Sequence, residues 1–422
     1  MNRKKNKIYI IDVTNRDGVQ TSRLGLAKLE KTIINLYLNE MGIYQSEFGF
    51  PFTNHETNYL KANLELAEMG VLRPMILSGW CRAVKDDVEK ACQLGLKHIN
   101  ISISTSEQMT KGKFGNRVVR YPRESSSKPS IIGMMVETLD EAKKREMKVG
   151  VNAEDASRTD DKFLIEFARM AKQHGADTIR YCDTLGYDDP PTIYQRVKNL
   201  AQEIQLPIEV HTHNDLGMAV ACALAGARGA IDGGVDAYIN TTINGMGERA
   251  GNADLVSVIL ALRKSSGTKE LNLLDARVDL SRAWRIAKYT SYAFGVPIPI
   301  NQVGVGDNAF AHESGIHADG ALKDRRNYEL YDFQELGRGE PEMVETGRKI
   351  TTGEYGGIKG FRNVYDKLEI KFKNEQEACT VLELARYANV HTQKPLVSDE
   401  LLFVARYPEQ ARKILTVIPP SL

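Results

Sequence analysis

Short β-branched runs alternate with amphipathic stretches through the first 265 residues of the chain. Residues 8–12, 44–48, 73–77, 98–103, 148–152, 178–182, 208–211 and 237–240 have the length and composition of strands. Between them, apolar residues recur every three or four positions and predict helices over 27–41, 56–69, 85–94 and through 138–145. Strict alternation of strand and helix implies parallel strands joined by right-handed crossovers. Eight such units close more readily into an α/β (β/α)₈ TIM barrel than into an open sheet. An open dinucleotide-binding sheet would want GxGxxG after the first strand, where this chain has DVTNRDGVQ.

After about residue 265 the rhythm changes. A long helix is expected over 276–294, closed by Gly295 and the Pro297/Pro299 pair, then a Gly- and polar-rich stretch over 301–338 and further helices from 375 onward. The expected organisation is a catalytic barrel over 1–265 and a smaller, mostly helical C-terminal extension over 266–422. One barrel connection, residues 104–129, is long and basic enough to read as a lid or a surface excursion. Within it, the charge of residues 111–123 suggests an anion-binding segment.

Composition narrows the classes. A formal charge of +1 over 422 residues gives no field for nucleic acid or an acidic membrane surface, so neither is expected as a partner. No apolar run reaches the length of a membrane span. Cys81, Cys92, Cys182, Cys222 and Cys379 are odd in number and lack CxxC spacing, which argues against disulfides or structural zinc and for the cytoplasm. A small-molecule enzyme is the reading that remains.

Barrel enzymes carry their chemistry at the C-terminal ends of the strands, and the unusual polar residues here fall at those ends. The first strand runs into Arg16, Asp17 and Gln20, the second ends at Glu47, the fifth at Glu154 and the sixth at Thr184. The seventh ends at His211 and His213, and the eighth leads to Asn252. Histidines two apart on a strand point the same way. A lone HxH is more often a hydrogen-bonded pair, but Asp17, Glu154 and Asn252 converge on it by topology. Two imidazoles with oxygen donors suit Mn²⁺, Mg²⁺ or Co²⁺ and also admit Zn²⁺. Such an ion would act as a Lewis acid on a chelating 2-oxo acid. Arg16 is placed to stabilise the developing alkoxide, its plainer alternative being an ion pair with a neighbouring Asp.

Four ordered motifs, DVTNRDGVQ, HTHNDLG, NGMGERAGN and GIHADG, resemble the metal-dependent acyl-CoA condensing enzymes: isopropylmalate, homocitrate and citramalate synthases and citrate synthases of Re stereospecificity. The resemblance covers nearly the whole chain. It implies condensation of acetyl-CoA with a 2-oxo acid followed by thioester hydrolysis, with Asp17, His211 and His213 as metal ligands and Asn252 a fourth candidate. It further implies Arg16 as the polarising group, Glu154 as a catalytic carboxylate near the acetyl group, and His317 and Tyr328 as aids to proton transfer. Those last two belong to a unit that, in the family, reaches into the partner's active site, so a domain-swapped homodimer is expected.

Departures from the family pattern bear on the acceptor. Homocitrate synthases carry an Arg four residues before the strand-five Glu and a His on strand three, where this chain has Gly150 and Ser78. Arg180, four residues before Thr184, faces the barrel interior by alternation. With Arg16, Gln20, Thr184 and Ser78 it forms the expected substrate set, its guanidinium meeting the second carboxylate of a dicarboxylic oxo acid. DVTNRDGVQTSRLGLAKLEK and SEFGFP resemble the Re-citrate branch more closely than the homocitrate one, so oxaloacetate is favoured over 2-oxoglutarate, 2-oxoisovalerate and pyruvate. Cleavage of the hydroxymethylglutaryl-CoA lyase type is the alternative from a different reaction class.

Overall fold

The computed structural model describes residues 6–114, 128–342 and 346–418. Eight parallel strands, β1 (Ile8–Asp12), β2 (Gln45–Gly49), β3 (Ile76–Arg82), β4 (His98–Ser104), β5 (Lys148–Glu154), β6 (Thr178–Asp183), β7 (Ile208–Thr212) and β8 (Ala237–Thr241), close in sequence order. The helices that wrap them are α1 (Lys28–Glu40), α2 (Thr57–Glu68), α3 (Lys85–Gln93), α4 (Glu107–Phe114), α5 (Lys128–Lys144), α6 (Asp161–Gln173), α7 (Pro190–Ile204), α8 (Ala219–Asp232) and α9 (Leu255–Lys264). Outward strand residues such as Ile10, Val149, Ile179, Val210 and Ile239 are buried against these helices. The expected TIM barrel is the fold.

Two local expectations need correction. β3 lies further along than 73–77, because Pro74 cannot donate to a ladder. Gly79 does not end it: a Cβ there would sit 2.6 Å from Pro51 Cγ, so glycine lets the strand continue past that ring. The helix expected over 276–294 becomes a 3-10 turn, Leu280–Arg282, then α10 (Ala283–Phe294). The chain before it is held on the barrel, Asp275 N donating to Ile8 O (2.9 Å) and Asp279 N to Met41 O (2.8 Å), so the Asp279 amide, inside the expected range, is unavailable to a helix. In the connection over 104–129, residues 107–114 are helical, while the basic segment 111–123 falls mostly outside the described residues.

Alternation sends every second strand residue inward, and strand tilt brings inward residues of alternate strands to one height. Pairs such as Asn100↔Gly150, Asn152↔Arg180, Arg180↔Glu209 and Ile11↔Asn240 stack the interior in layers. Ile11, Ser78, Gly150 and Glu209 form one layer. Above it stand Glu47, Asn100, Arg180 and Asn240, and above those Trp80, Asn152 and His211, nearest the C-terminal mouth. Barrel interiors are ordinarily filled with branched apolar residues; here the middle layer is entirely polar.

Beyond α10 come α11 (Gly315–Lys323), α12 (Ile358–Lys367), α13 (Glu375–Thr392), α14 (Ser398–Arg406) and α15 (Pro408–Leu415). The last three pack on α1 and α2. Polar contacts fix this docking: Tyr289 Oη donates to Glu400 Oε1 (2.8 Å), Lys394 Nζ to Glu30 Oε1 (3.0 Å), and Tyr37 to Asp399. α11 buries none of its residues. No helix among the described residues is long and apolar enough to cross a membrane.

Candidate active site

The turn after β1 is wound tightly on one acceptor: the amides of Arg16, Asp17 and Gly18 all point to Val13 O, at 3.1, 2.7 and 3.2 Å. That winding turns Arg16 and Asp17 over the barrel mouth. Across it, the end of β7 presents His211 and His213, whose Nε2 atoms lie 3.2 Å apart. Asp17 Oδ2 is 3.4 Å from the first and 3.7 Å from the second. The loop after β8 folds back on itself through glycines. At Gly251, φ is +87° and a Cβ would lie 1.9 Å from Gly245 O, so only glycine closes this turn. The closure pairs Asn252 with His213 in an isolated antiparallel bridge. Arg249 straps the loop down by donating to Asp215 Oδ1 (2.9 Å) and to the Thr184 carbonyl.

Asp17, His211 and His213 are the only acidic, His or Cys cluster among the described residues whose ligand atoms could share an ion. Asp17 Oδ2, Asn252 Oδ1 and His213 Nδ1 are buried without hydrogen-bond partners. Donors about 2.1 Å from a common ion stand roughly 3.0–3.4 Å from one another, close to the spacings found. Burial pushes both imidazoles toward the neutral form, His213 down to about 3, with His211 adding to that shift. Burial also opposes ionisation of Asp17, but Arg16 and the two histidines hold its carboxyl well below the usual range. An anion beside two neutral imidazoles fits a divalent cation.

Arg16 is fixed from behind. Its Nε donates to Glu47 Oε1 (2.6 Å), and its Nη1 lies 3.4 Å from Asp17 Oδ1. Glu47 is wholly buried and also accepts from Asn100 Nδ2 (2.6 Å) and from Arg180 Nη2 (2.8 Å) and Nη1 (3.2 Å). Burial alone would keep it protonated, but Arg180 and then Arg16 overcome this and hold it ionised, down to about 2. At the rim, Glu154 accepts from Lys113 Nζ (2.5 Å) and Ser104, and Thr184 Oγ1 accepts from Asp155 N (2.9 Å).

Two of the expected substrate residues already have protein partners. Arg180 points inward but is not free to meet a ligand as a lone cation: its Nε donates to Glu209 Oε2 (2.7 Å), and both terminal nitrogens are on Glu47. Ser78 lies below the polar layer, where it accepts from Gln45 Nε2 (2.9 Å) and lines a lower cavity of about 290 Å³, away from Asp17, His211 and His213. Gln20 is exposed in a groove with Phe50 and Phe52. His317 stacks on Tyr328 with ring centroids 4.2 Å apart, on the exposed C-terminal segment. Among the described residues, no hydrogen bond or ring contact joins that pair to the barrel mouth. Sequence reasoning had Glu47 and Asn152 at strand ends but gave them no role, reached Lys113 only as part of the basic segment 111–123, and missed Glu209 and Asn240. Glu209, Asn152 and Asn240 share one signal, polarity at strand positions that alternation sends inward; Lys113, on α4, does not carry it.

A family model described as HMGL-like matches residues 7–289. The chain belongs to the HMGL-like family. A second model, homocitrate synthase post-HMGL domain-like, matches residues 305–392. Among HMGL-like relatives, the chain is 58% identical over 416 residues to citrate (Re)-synthase of Dehalococcoides mccartyi, covering 98% of this chain and 99% of that one. It is 39% identical to 2-isopropylmalate synthase 2 of Caldanaerobacter subterraneus, over 95% of this chain and 96% of the relative. To homocitrate synthase 1 of Nostoc sp. it is 33% identical, over 96% and 100%. The HMG-CoA lyase structure from Bacillus subtilis superposes with a TM-score of 0.55 at 18% identity, over 71% of this chain and 97% of that one, a likeness of fold.

Proposed function

We propose that this HMGL-like protein condenses acetyl-CoA with oxaloacetate and hydrolyses the resulting thioester, giving citrate and free CoA with Re stereospecificity. The observation that carries the reading is near-full-length similarity to a citrate (Re)-synthase in a chain whose Asp17, His211 and His213 converge at the barrel mouth. Asp17, His211 and His213 would hold a divalent ion (Mn²⁺, Mg²⁺, Co²⁺ or Zn²⁺), with Asn252 Oδ1 as a further donor. Bound there, such an ion supplies Lewis-acid polarisation of the oxo acid's ketone.

The chain's own residues do the rest. Arg16, its guanidinium anchored by Glu47, donates to the oxygen on which negative charge develops. Glu154 lies at the rim with Ser104 and Lys113, where its carboxylate meets the acetyl group. Thr184 and Gln20 line the approach. His317 and Tyr328 assist proton transfer at the barrel mouth of a second copy, which makes residues 266–422 a unit shared between subunits. The apolar exposure of this segment supports such a partner: Ile316, Leu322 and Leu330 are 77%, 89% and 72% exposed. All five cysteines are free, which supports the cytoplasm as the compartment.

Stereochemistry tests the assignment beyond turnover. Citrate made from labelled acetyl-CoA is cleaved by an enzyme of known Si specificity. The label is expected in the oxaloacetate fragment; label released as the acetyl fragment would overturn the Re reading.

A further inference from the structure

The polar layer beneath the metal ligands holds one residue whose whole amide lacks a partner. On β8, Tyr238 points into the barrel, stacked on Tyr9 with centroids 5.3 Å apart, so alternation turns Asn240 inward and Ile239 outward. The ladder sets Asn240 beside Ile11 on β1, and Val210↔Ile239 sets it alongside His211 on β7. Asn240 is 1% exposed, and neither its Oδ1 nor its Nδ2 has a hydrogen-bond partner. Asn152, one layer higher on β5, has an unpartnered buried Oδ1. Asn100, in the same layer as Asn240, is engaged, donating to Glu47. Buried amides are ordinarily satisfied, so the unpaired ones under the metal centre mark where something else binds.

The size and charge of that something follow from the layer. The cations of the floor are already matched, Arg180 by Glu47 and Glu209, and Arg16 by Glu47. The groups left to bind a polar ligand here are therefore amide donors, with guanidinium groups close behind them. One layer separates Asn240 from His211, about 3 Å along the axis. An oxo acid held at the mouth by its carboxylate and ketone, with a single methylene before its second carboxylate, places that carboxylate at this depth. The layer itself closes the space below: Glu47, Asn100 and Arg180 are buried and bonded to one another, and they stand between it and the lower cavity lined by Ser78 and Gly150.

We infer that Asn240 is a specificity-determining residue, whose amide donates to the second carboxylate of a short 2-oxo dicarboxylic acid at the floor of the active site. Asn152 borders the same space from above, and the Glu47–Arg180–Glu209 chain forms the wall that stops a longer acid. The inference rests on the reading of the chain as a condensing enzyme for such an acid. It moves recognition from the Arg180 guanidinium to a neutral amide beside it.

The test compares the full-length metal-loaded protein with Asn240→Ala and Asn240→Asp, using oxaloacetate and pyruvate, which lacks the second carboxylate. Loss of one hydrogen bond to a charged group should lower kcat/KM for oxaloacetate about 10- to 100-fold, mainly through KM, and leave pyruvate within about 2-fold. Asn240→Asp should lose more above the Asp pKa than below it, because its anion faces the carboxylate. Titration calorimetry of oxaloacetate without acetyl-CoA should show the same weakening. Equal losses for both acids, or unchanged oxaloacetate binding in Asn240→Ala, would overturn the assignment. Should Asn240→Asp fail to fold, Asn240→Ala and Asn240→Ser, checked by melting temperature, carry the comparison. If the wild-type protein released no CoA with any oxo acid, the condensation reading would fall, while calorimetry would still decide whether Asn240 selects the dicarboxylate.

Discussion

At the scale of single residues, Glu47 links the Asp17–His211–His213 cluster, through Arg16, to the barrel interior. It anchors Arg16, accepts both terminal nitrogens of Arg180 and takes the Asn100 amide. Replacing it with glutamine leaves two buried guanidinium groups short of one negative charge, and breaking a buried pair in this way costs about 3–5 kcal/mol. Glu47→Gln is therefore expected to lower the melting temperature and to reduce kcat, since Arg16 loses its anchor; circular dichroism melts and steady-state rates check both. The pH dependence has a definite sign. Glu47 titrates at about 2 in the fold against 4.5 ordinarily, so its stabilisation is present above 4.5 and is lost as pH falls toward 2. Wild type and Glu47→Gln should converge in stability at the acid end of that window. That Arg180 points inward was legible from period-two alternation. That Glu47 and Glu209 would take it was not, because those partners come together only through the barrel's register.

At the scale of elements, the strand ends were legible because each ends in a cluster of polar residues that a packed barrel interior would reject. The starts of β3 and α10 were less so. Pro74 marks the first locally, but the ring of Pro51 against Gly79 and the Asp279 amide held by Met41 O are contacts that are not local in sequence. The docking of α14 on α1 and α10 carries its own prediction. Burial raises the Glu400 carboxyl to about 7, where it accepts from Tyr289. A raised carboxyl stabilises the fold below its ordinary value of 4.5, and that contribution is lost as pH rises through 7. Glu400→Gln keeps an acceptor for Tyr289 without the charge. It should stabilise the protein at pH 8 by up to about 3 kcal/mol and leave it little changed at pH 4, as read by denaturant unfolding at the two pH values.

At the scale of the whole molecule, the barrel motifs lie together, while His317 and Tyr328 form a separate stacked pair on an exposed, apolar segment. If a second copy supplies that pair, two inactive variants should rescue each other. Mixed and refolded together, Asp17→Asn and His317→Ala chains form hybrids with one intact site, giving about a quarter of wild-type activity when pairing is random. No recovery on mixing would mean that each chain completes its own site. The central claim is a metal-dependent condensation selective for a short dicarboxylic oxo acid. Its most direct test is release of free CoA from acetyl-CoA by the purified protein, with Mn²⁺ and with chelator, offering oxaloacetate, 2-oxoglutarate, 2-oxoisovalerate and pyruvate separately. Chelator-sensitive release with a clear preference for oxaloacetate is the expected result. Preference for another acid would contradict the selectivity, and no chelator-sensitive release with any of the four would contradict the condensation itself.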